Sequence, residues 1–253
     1  TDNLSDSLEV IRLDSQVRRS ELYHKNIGNS KDFIDAANRA LDNVTIEAQR
    51  IISNIVNVSN PINDKNISTV GQSIKSSLEA IVNSLNEKHN GMYLFGGTDY
   101  TDKPWAIDSD GKVQTTTTDF TGEMRVQLTD NVKETINIPG SRIQSTDLLQ
   151  TINDIIDSFD AGVVPDKAML DRLMTSYDEI ISVQALAGEK YRRIDDINEM
   201  MKNNLDNRKI MLASKIEVDP AELAVELQYQ DYLLQLSYKM ASSILPKSII
   251  DYL

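Results

Sequence analysis

The sequence predicts a mainly α protein with a small β insertion, built as an elongated antiparallel helical bundle or coiled coil. Apolar residues recur at helical spacing through most of 3–90 and 146–253. Between these stretches lie six of the ten glycines, in 91–140 with Pro104 and Pro139, and helical spacing disappears there. The last third, 169–253, stays patterned to its final residues, as expected of a chain that packs lengthwise against other helices.

Each element follows from local signals. Leu4, Leu8, Ile11 and Leu22 share a rough stripe that Val10, Leu13 and Val17 widen, predicting a helix over about 3–27. Gly28-Asn29-Ser30 is expected to end it, with Ser30 capping the next helix. Phe33, Ala37, Ala40, Val44, Ala48, Ile51, Ile55 and Val58 step by threes and fours, a coiled-coil-like seam. Asn60-Pro61-Ile62-Asn63-Asp64 breaks it. Ile67, Val70, Ile74, Leu78, Ile81 and Leu85 form a third stripe, antiparallel to the second because the connector is short. Asn90-Gly91 is read as its C-terminal stop.

Within the insertion, Asp110-Gly111 is a hairpin signal, and 113–118, 124–128 and 133–138 read as strands, the last closed by Pro139-Gly140. Helix resumes near Thr146-Asp147 with Leu148, Leu149, Ile152, Ile155, Ile156 and Phe159. A loop over 160–166 precedes the long C-terminal helix, which Gly188 is expected to interrupt or soften. Asp219-Pro220 restarts the pattern, Asp as N-cap and Pro at the first helical position. Leu223, Leu227, Gln230, Leu234, Ser237, Ala241 and Ile244 then make one row, and Val225, Tyr229, Tyr232 and Leu236 a second. Pro246 bends or ends that helix before Ile249 and Ile250. Two apolar rows on one helix need neighbours on two sides, so this stripe is read as an interface.

Composition narrows the function. With 26 Lys and Arg against 39 Asp and Glu, the 253-residue chain carries −13, which argues against a nucleic-acid binder or an anionic membrane surface as partner. The lack of cysteine removes disulfides, thiolate metal sites and thiol nucleophiles. No run approaches a membrane span, and no signal peptide is visible. The chain opens at Thr1 in a segment already helical in pattern, so residues are expected upstream.

Candidate chemistry is thin. His24 and His89, both read as helical, lack companions for a metal or a base. Asp195, Asp196 and Glu199 read as a solvated helix face, and Arg192-Arg193 as an exposed pair. Asp108-Ser109-Asp110-Gly111 has its glycine too early for a calcium loop. Gly96-Gly97 has no following Lys-Ser/Thr to make a phosphate cradle. Trp105 is expected to plug the junction of insertion and helices. Tyr93 and Phe95 either tuck a helix end against the rod or help dock a neighbouring subunit. No cofactor, metal or catalytic residue is predicted.

Asn90-Gly91-Met92-Tyr93-Leu94-Phe95-Gly96-Gly97-Thr98 resembles the N-G-x-Y-L-F-x-G-T signature of the flagellar hook-associated protein 3 family, the flagellin-like hook–filament junction proteins. The run from Gly188-Glu189-Lys190 through Ile216-Glu217-Val218-Asp219-Pro220-Ala221-Glu222 to Ser248-Ile249-Ile250-Asp251-Tyr252-Leu253 is similar to that family's C-terminus. The family begins with a further helical terminus that is not present here.

The resemblance implies a flagellin-like rod, nearly continuous through Gly28, and a secreted, extracellular structural subunit of the bacterial flagellum. The implied layout is a rod domain in two parts, 1–100 and 146–218, an outer β-rich insertion at 101–145, and a helix at 219–253 belonging to an inner tube. Implied partners are other copies in a ring, the sister junction protein, hook or filament subunits, and a cytoplasmic export chaperone at the C-terminal region. Leu223, Leu227, Tyr232, Leu234, Leu236, Ile244, Ile249 and Ile250, with Tyr93 and Phe95, are the expected interface. The alternatives are a flagellin of the filament and, in another class, a cytoplasmic coiled-coil signalling or scaffold protein. The latter would more often carry uninterrupted heptads and no β insertion.

Overall fold

The computed structural model describes residues 2–59, 67–116, 120–216 and 220–244. Side chains of 2–6, 220–224, 226 and 241–244 lie outside the description, as do the expected breaker at 60–64, the cap Asp219, the bend at Pro246 and the residues Ile249 and Ile250. The chain is mainly helical, with two-stranded antiparallel hairpins between the helices. It divides into two compact units, Ser20–Asn204 and Thr1–Arg19 with Leu205–Leu253.

The first helix, α1 (Asp2–Val58), is unbroken for 57 residues. The break expected at Gly28-Asn29-Ser30 does not occur. Ser30 is buried, and its hydroxyl donates to the Asn26 carbonyl at 2.7 Å, so it bonds back into the helix instead of capping a new one. A mid-helix glycine costs about 1 kcal/mol. Burying Ile27, Phe33 and Ile34 on the same stretch offsets this, at about 1.5–3 kcal/mol each.

Helix α2 (Ile67–Leu85) runs antiparallel to α1, with Asn54 donating to Ser73 at 3.1 Å and Phe33 meeting His89 edge-on at 6.0 Å. It ends at Leu85, before the expected stop. Asn90 and Gly91 have φ of 50° and 82°, and they turn a hairpin of β1 (Lys88–His89) and β2 (Met92–Tyr93) instead. Two successive left-handed residues suit a two-residue hairpin loop, where a helix stop needs only one. His89 is therefore on a strand.

In the insertion, β3 (Trp105–Ile107) pairs with β4 (Val113–Thr115), and β5 (Arg125–Gln127) with β6 (Lys133–Thr135). The Asp110-Gly111 turn is as expected: Gly111 takes φ 81°, and the Asp108 carboxylate accepts from the amides of Asp110 and Lys112. Hairpins this short are marginal alone. Asparagine amides supply the missing neighbour strand. Asn86 donates to the Trp105 carbonyl and accepts from its amide. Asn153 does the same for Val113, and Asn137 joins Met124 to Gly122.

Pro139-Gly140 opens a short helix, α3 (Gly140–Gln144), which periodicity did not reveal. Then come α4 (Leu148–Asp160), α5 (Lys167–Ile216) and α6 (Pro220–Ile244). Asp166 accepts from the Met169 amide at 2.8 Å and caps α5, which passes through Gly188 without interruption. Within Ser20–Asn204, α5 is antiparallel to α1, shown by Lys31–Asp195 and by Thr45 and Asp42 on Gln184. It is antiparallel to α4 through Arg172–Asp154. One core joins them: Ala37, Ala40, Val44, Ile51 and Ile55 of α1, Ile74, Leu78 and Ile81 of α2, Ile152 and Ile156 of α4, and Leu173, Ile180 and Ala187 of α5. In the other unit Leu13, Val17 and Leu205 are buried, and Lys215 pairs with Glu9 at 3.0 Å.

Candidate assembly surface

Helix α6 begins at Pro220 and stays apolar on two sides. Leu227, Leu234 and Tyr238 form one row, and Val225, Tyr229, Tyr232 and Leu236 the other; all are exposed. Leu227 is 62% and Leu234 54% exposed, against 0% for Leu78 on α2, so these leucines fill no pocket among the described residues. Leu223 and Ile244 lie on the same helix with side chains outside the description. In the same unit Leu8, Ile11, Ile210, Met211 and Ile216 are also exposed. Apolar rows exposed along one helix are the mark of an association site. A helix without tertiary packing is also marginal by itself.

Tyr93 and Phe95 behave differently. Phe95 is fully buried in its own chain, which fits the first of its two readings, a residue tucked against the helices, rather than a docking contact. Its carbonyl accepts from the Gly140 amide at 2.9 Å. Tyr93 is half-buried under the Lys88 ammonium, 4.2 Å from the ring centroid, and its amide donates to Tyr100. The glycines that follow permit a backbone crossing. A Cβ on Gly97, at φ 65°, would sit 2.7 Å from the Phe120 backbone, and one on Gly140 2.5 Å from the Phe95 carbonyl. The Tyr-Leu-Phe-Gly-Gly stretch is thus a knot that closes the insertion on the helices. Trp105 fills its centre, fully buried, 5.6 Å from Phe120, with Nε1 donating to Gln144 at 3.4 Å.

The charged residues singled out in the sequence are mostly absorbed within the chain. Arg192 and Arg193 are exposed, as expected, and Arg193 also reaches Glu134 of β6 at 2.6 Å. Asp195 pairs with Lys31, and this hydrogen bond holds the Lys31 ammonium above the usual lysine range. Asp157 does the same for Lys112. Arg125 and then the Thr135 hydroxyl hold the Glu123 carboxyl below the usual range. Burial pushes the Lys190 ammonium down. Asp196 and Glu199 are exposed. His24 is half-buried, its Nδ1 shut from solvent without a partner among the described residues.

Among the described residues no cluster of His, Asp and Glu could hold a metal ion, and no helix is long and apolar enough to cross a membrane. The asparagine clamps were missed in the sequence. A lone Asn carries no periodic signal, whether just past a helix end as Asn86 or within a helix as Asn153, and the partners lie 19 and 40 residues away.

No family model and no curated protein sequence matches this chain. Solved structures do. A flagellar hook-associated protein from Vibrio parahaemolyticus superposes with a TM-score of 0.70 at 18% identity, over 82% of this chain and 96% of that one. FlgL from Bacillus cereus gives 0.65 at 20% identity, over 81% and 99%. Flagellar hook associated protein-3 from Legionella pneumophila gives 0.70 at 11% identity, over 83% and 100%. The helical bundle with its interposed hairpins is therefore the fold of flagellar hook-associated protein 3.

Proposed function

We propose that this chain is a structural subunit of the bacterial flagellum, part of the junction between hook and filament, working by lengthwise helix packing and not by catalysis. The observation that carries the reading is α6, a helix with two exposed apolar rows in a chain with the hook-associated fold. Burying a leucine is worth about 1.5–3 kcal/mol, so several on one helix give a strong drive to associate.

In this reading Leu223, Leu227, Tyr232, Leu234, Leu236, Ile244, Ile249 and Ile250 are covered by other copies in a ring, by the sister junction protein, and by hook or filament subunits. Before export a cytoplasmic chaperone covers the same rows. The segment 219–253 belongs to the inner tube, and the hairpins of 101–145 lie on the outside.

Immunogold labelling of flagella from the source cell, with antibody against the whole chain, tests this. A band confined to the hook–filament boundary is expected. Label along the filament would make it a flagellin, and label confined to the cytoplasm would make it a scaffold.

A further inference from the structure

We propose that the β5–β6 hairpin is a releasable strap that braces α1 against α5. The hairpin belongs to no larger sheet, and each strand is three residues long. It is too short to persist alone, so docking holds its shape. The docking contacts fall on two different helices. On α1, the Tyr23 hydroxyl donates to Asp130 at 3.0 Å, and the Asn26 amide to the Gln127 carbonyl at 3.3 Å. On α5, the Lys190 ammonium donates to the Thr135 carbonyl at 3.0 Å, and Arg193 pairs with Glu134 at 2.6 Å.

The strap lies over the stretch where Lys31 of α1 meets Asp195 and the Tyr191 ring of α5. Anything that fixes the hairpin therefore also fixes the register of the two helices there.

Its underside explains why it can let go. Leu128 and Ile136 are buried, but Val126 only half so, and a cleft of about 240 Å³ opens beside it. Phe33, Met92, Val126 and Ile136 supply its apolar wall, with Asn26 and His89 at the polar part. The apolar contact is incomplete, so the polar ends carry much of the attachment. The one ion pair among the named contacts, Arg193–Glu134, has its arginine largely exposed, and salt weakens such a pair. Such a strap should open well below the free energy of global unfolding.

The experiment is hydrogen exchange of the whole chain, read peptide by peptide, at low and high salt and in Glu134→Ala with Asp130→Ala. That pair removes one contact on each helix. Salt and the double variant should each speed exchange about tenfold in 124–136 and, together with it, in 20–34 of α1 and 186–198 of α5. Exchange in α2 and α4 should not change. Faster exchange confined to the hairpin would make it a passenger and overturn the strap. Equal acceleration in α2 and α4 would mean global loosening and overturn it too, as would no change anywhere. The salt series needs no variant, so it decides the matter if the double variant fails to fold.

Discussion

The Asn153 side chain and the Val113 backbone exchange two hydrogen bonds: the Val113 amide donates to Oδ1 at 2.9 Å, and Nδ2 donates to the Val113 carbonyl at 2.8 Å. Both residues are buried, so α4 stands in for the strand that β4 lacks. Asn153→Ala leaves a buried donor and a buried acceptor unpaired. The expected loss is about 2–5 kcal/mol, taking about 1–3 for each group. Denaturant unfolding checks it. A loss under about 0.5 kcal/mol would show that water takes over the clamp.

Gly97 and Gly162 separate close approach from backbone conformation. Both have positive φ, 65° and 75°, but only Gly97 is crowded, by the Phe120 backbone. Gly162→Ala should cost about 1–2 kcal/mol, the left-handed penalty alone. Gly97→Ala adds a backbone clash and should cost clearly more, read as a larger drop in denaturation midpoint. Equal costs would remove the crossing as the reason for the glycine.

Trp105 is the chain's sole tryptophan and is fully buried. Its emission should be blue-shifted in the folded protein and move red in one step on unfolding. Trp105→Ala should cost about 3–5 kcal/mol, as large-to-small core changes do. Emission of exposed indole in the native state would contradict the plug.

The charge pairs give a signed pH dependence. The Glu123 carboxyl lies below its usual range, so the folded state holds fewer protons there. Its stabilising effect is present above the usual carboxylate range and is lost as pH falls through the folded value. Lys31 and Lys112 lie above theirs, so their effect is present below the usual lysine value and lost as pH rises through the raised one. Lys190, pushed down by burial, acts the opposite way: stability rises with pH between its lowered value and the usual one. Side-chain NMR titration should find Glu123 returning upward in Arg125→Ala. An unchanged value there would remove Arg125 as the cause.

What the sequence revealed, and what it hid, divides along the range of the forces involved. The seams through Ala37–Ile55 and Ile74–Leu85 were legible because helix packing repeats every turn and writes a period. The Asp110-Gly111 turn was legible because a left-handed glycine is a local requirement. Local signals did not show the continuity of α1 through Gly28-Asn29-Ser30, which only the family resemblance implied, because burial of Ile27 and Phe33 against distant parts of the chain overrode them. Asn90-Gly91 reads locally as a helix stop but turns a hairpin, since one dipeptide serves both helix ends and hairpins. Of the candidate site, the α6 rows were visible as two stripes. The sequence left Phe95 between a tucked and a docking role, because a hydrophobic residue beside glycines reads alike in a knot and in an interface; the structure buries it.

Substitutions on α6 separate assembly from folding. Leu227 and Leu234 are exposed, so Leu227→Asp with Leu234→Asp should leave the thermal stability of Ser20–Asn204 within about 0.5 kcal/mol, as for surface positions generally. In cells the same double variant should fail to appear at the hook–filament boundary. Normal incorporation would put the interface elsewhere.

The apolar rows of α6, from Val225 to Tyr238, stand exposed and uncovered among the described residues of their own chain. Hydrogen exchange of the monomeric protein over 225–240 tests this most directly. The account predicts amide exchange there within seconds, while the buried turns of α2 stay protected for far longer. Protection of 225–240 comparable to that of α2 would mean that the chain buries the helix itself, and would contradict the account.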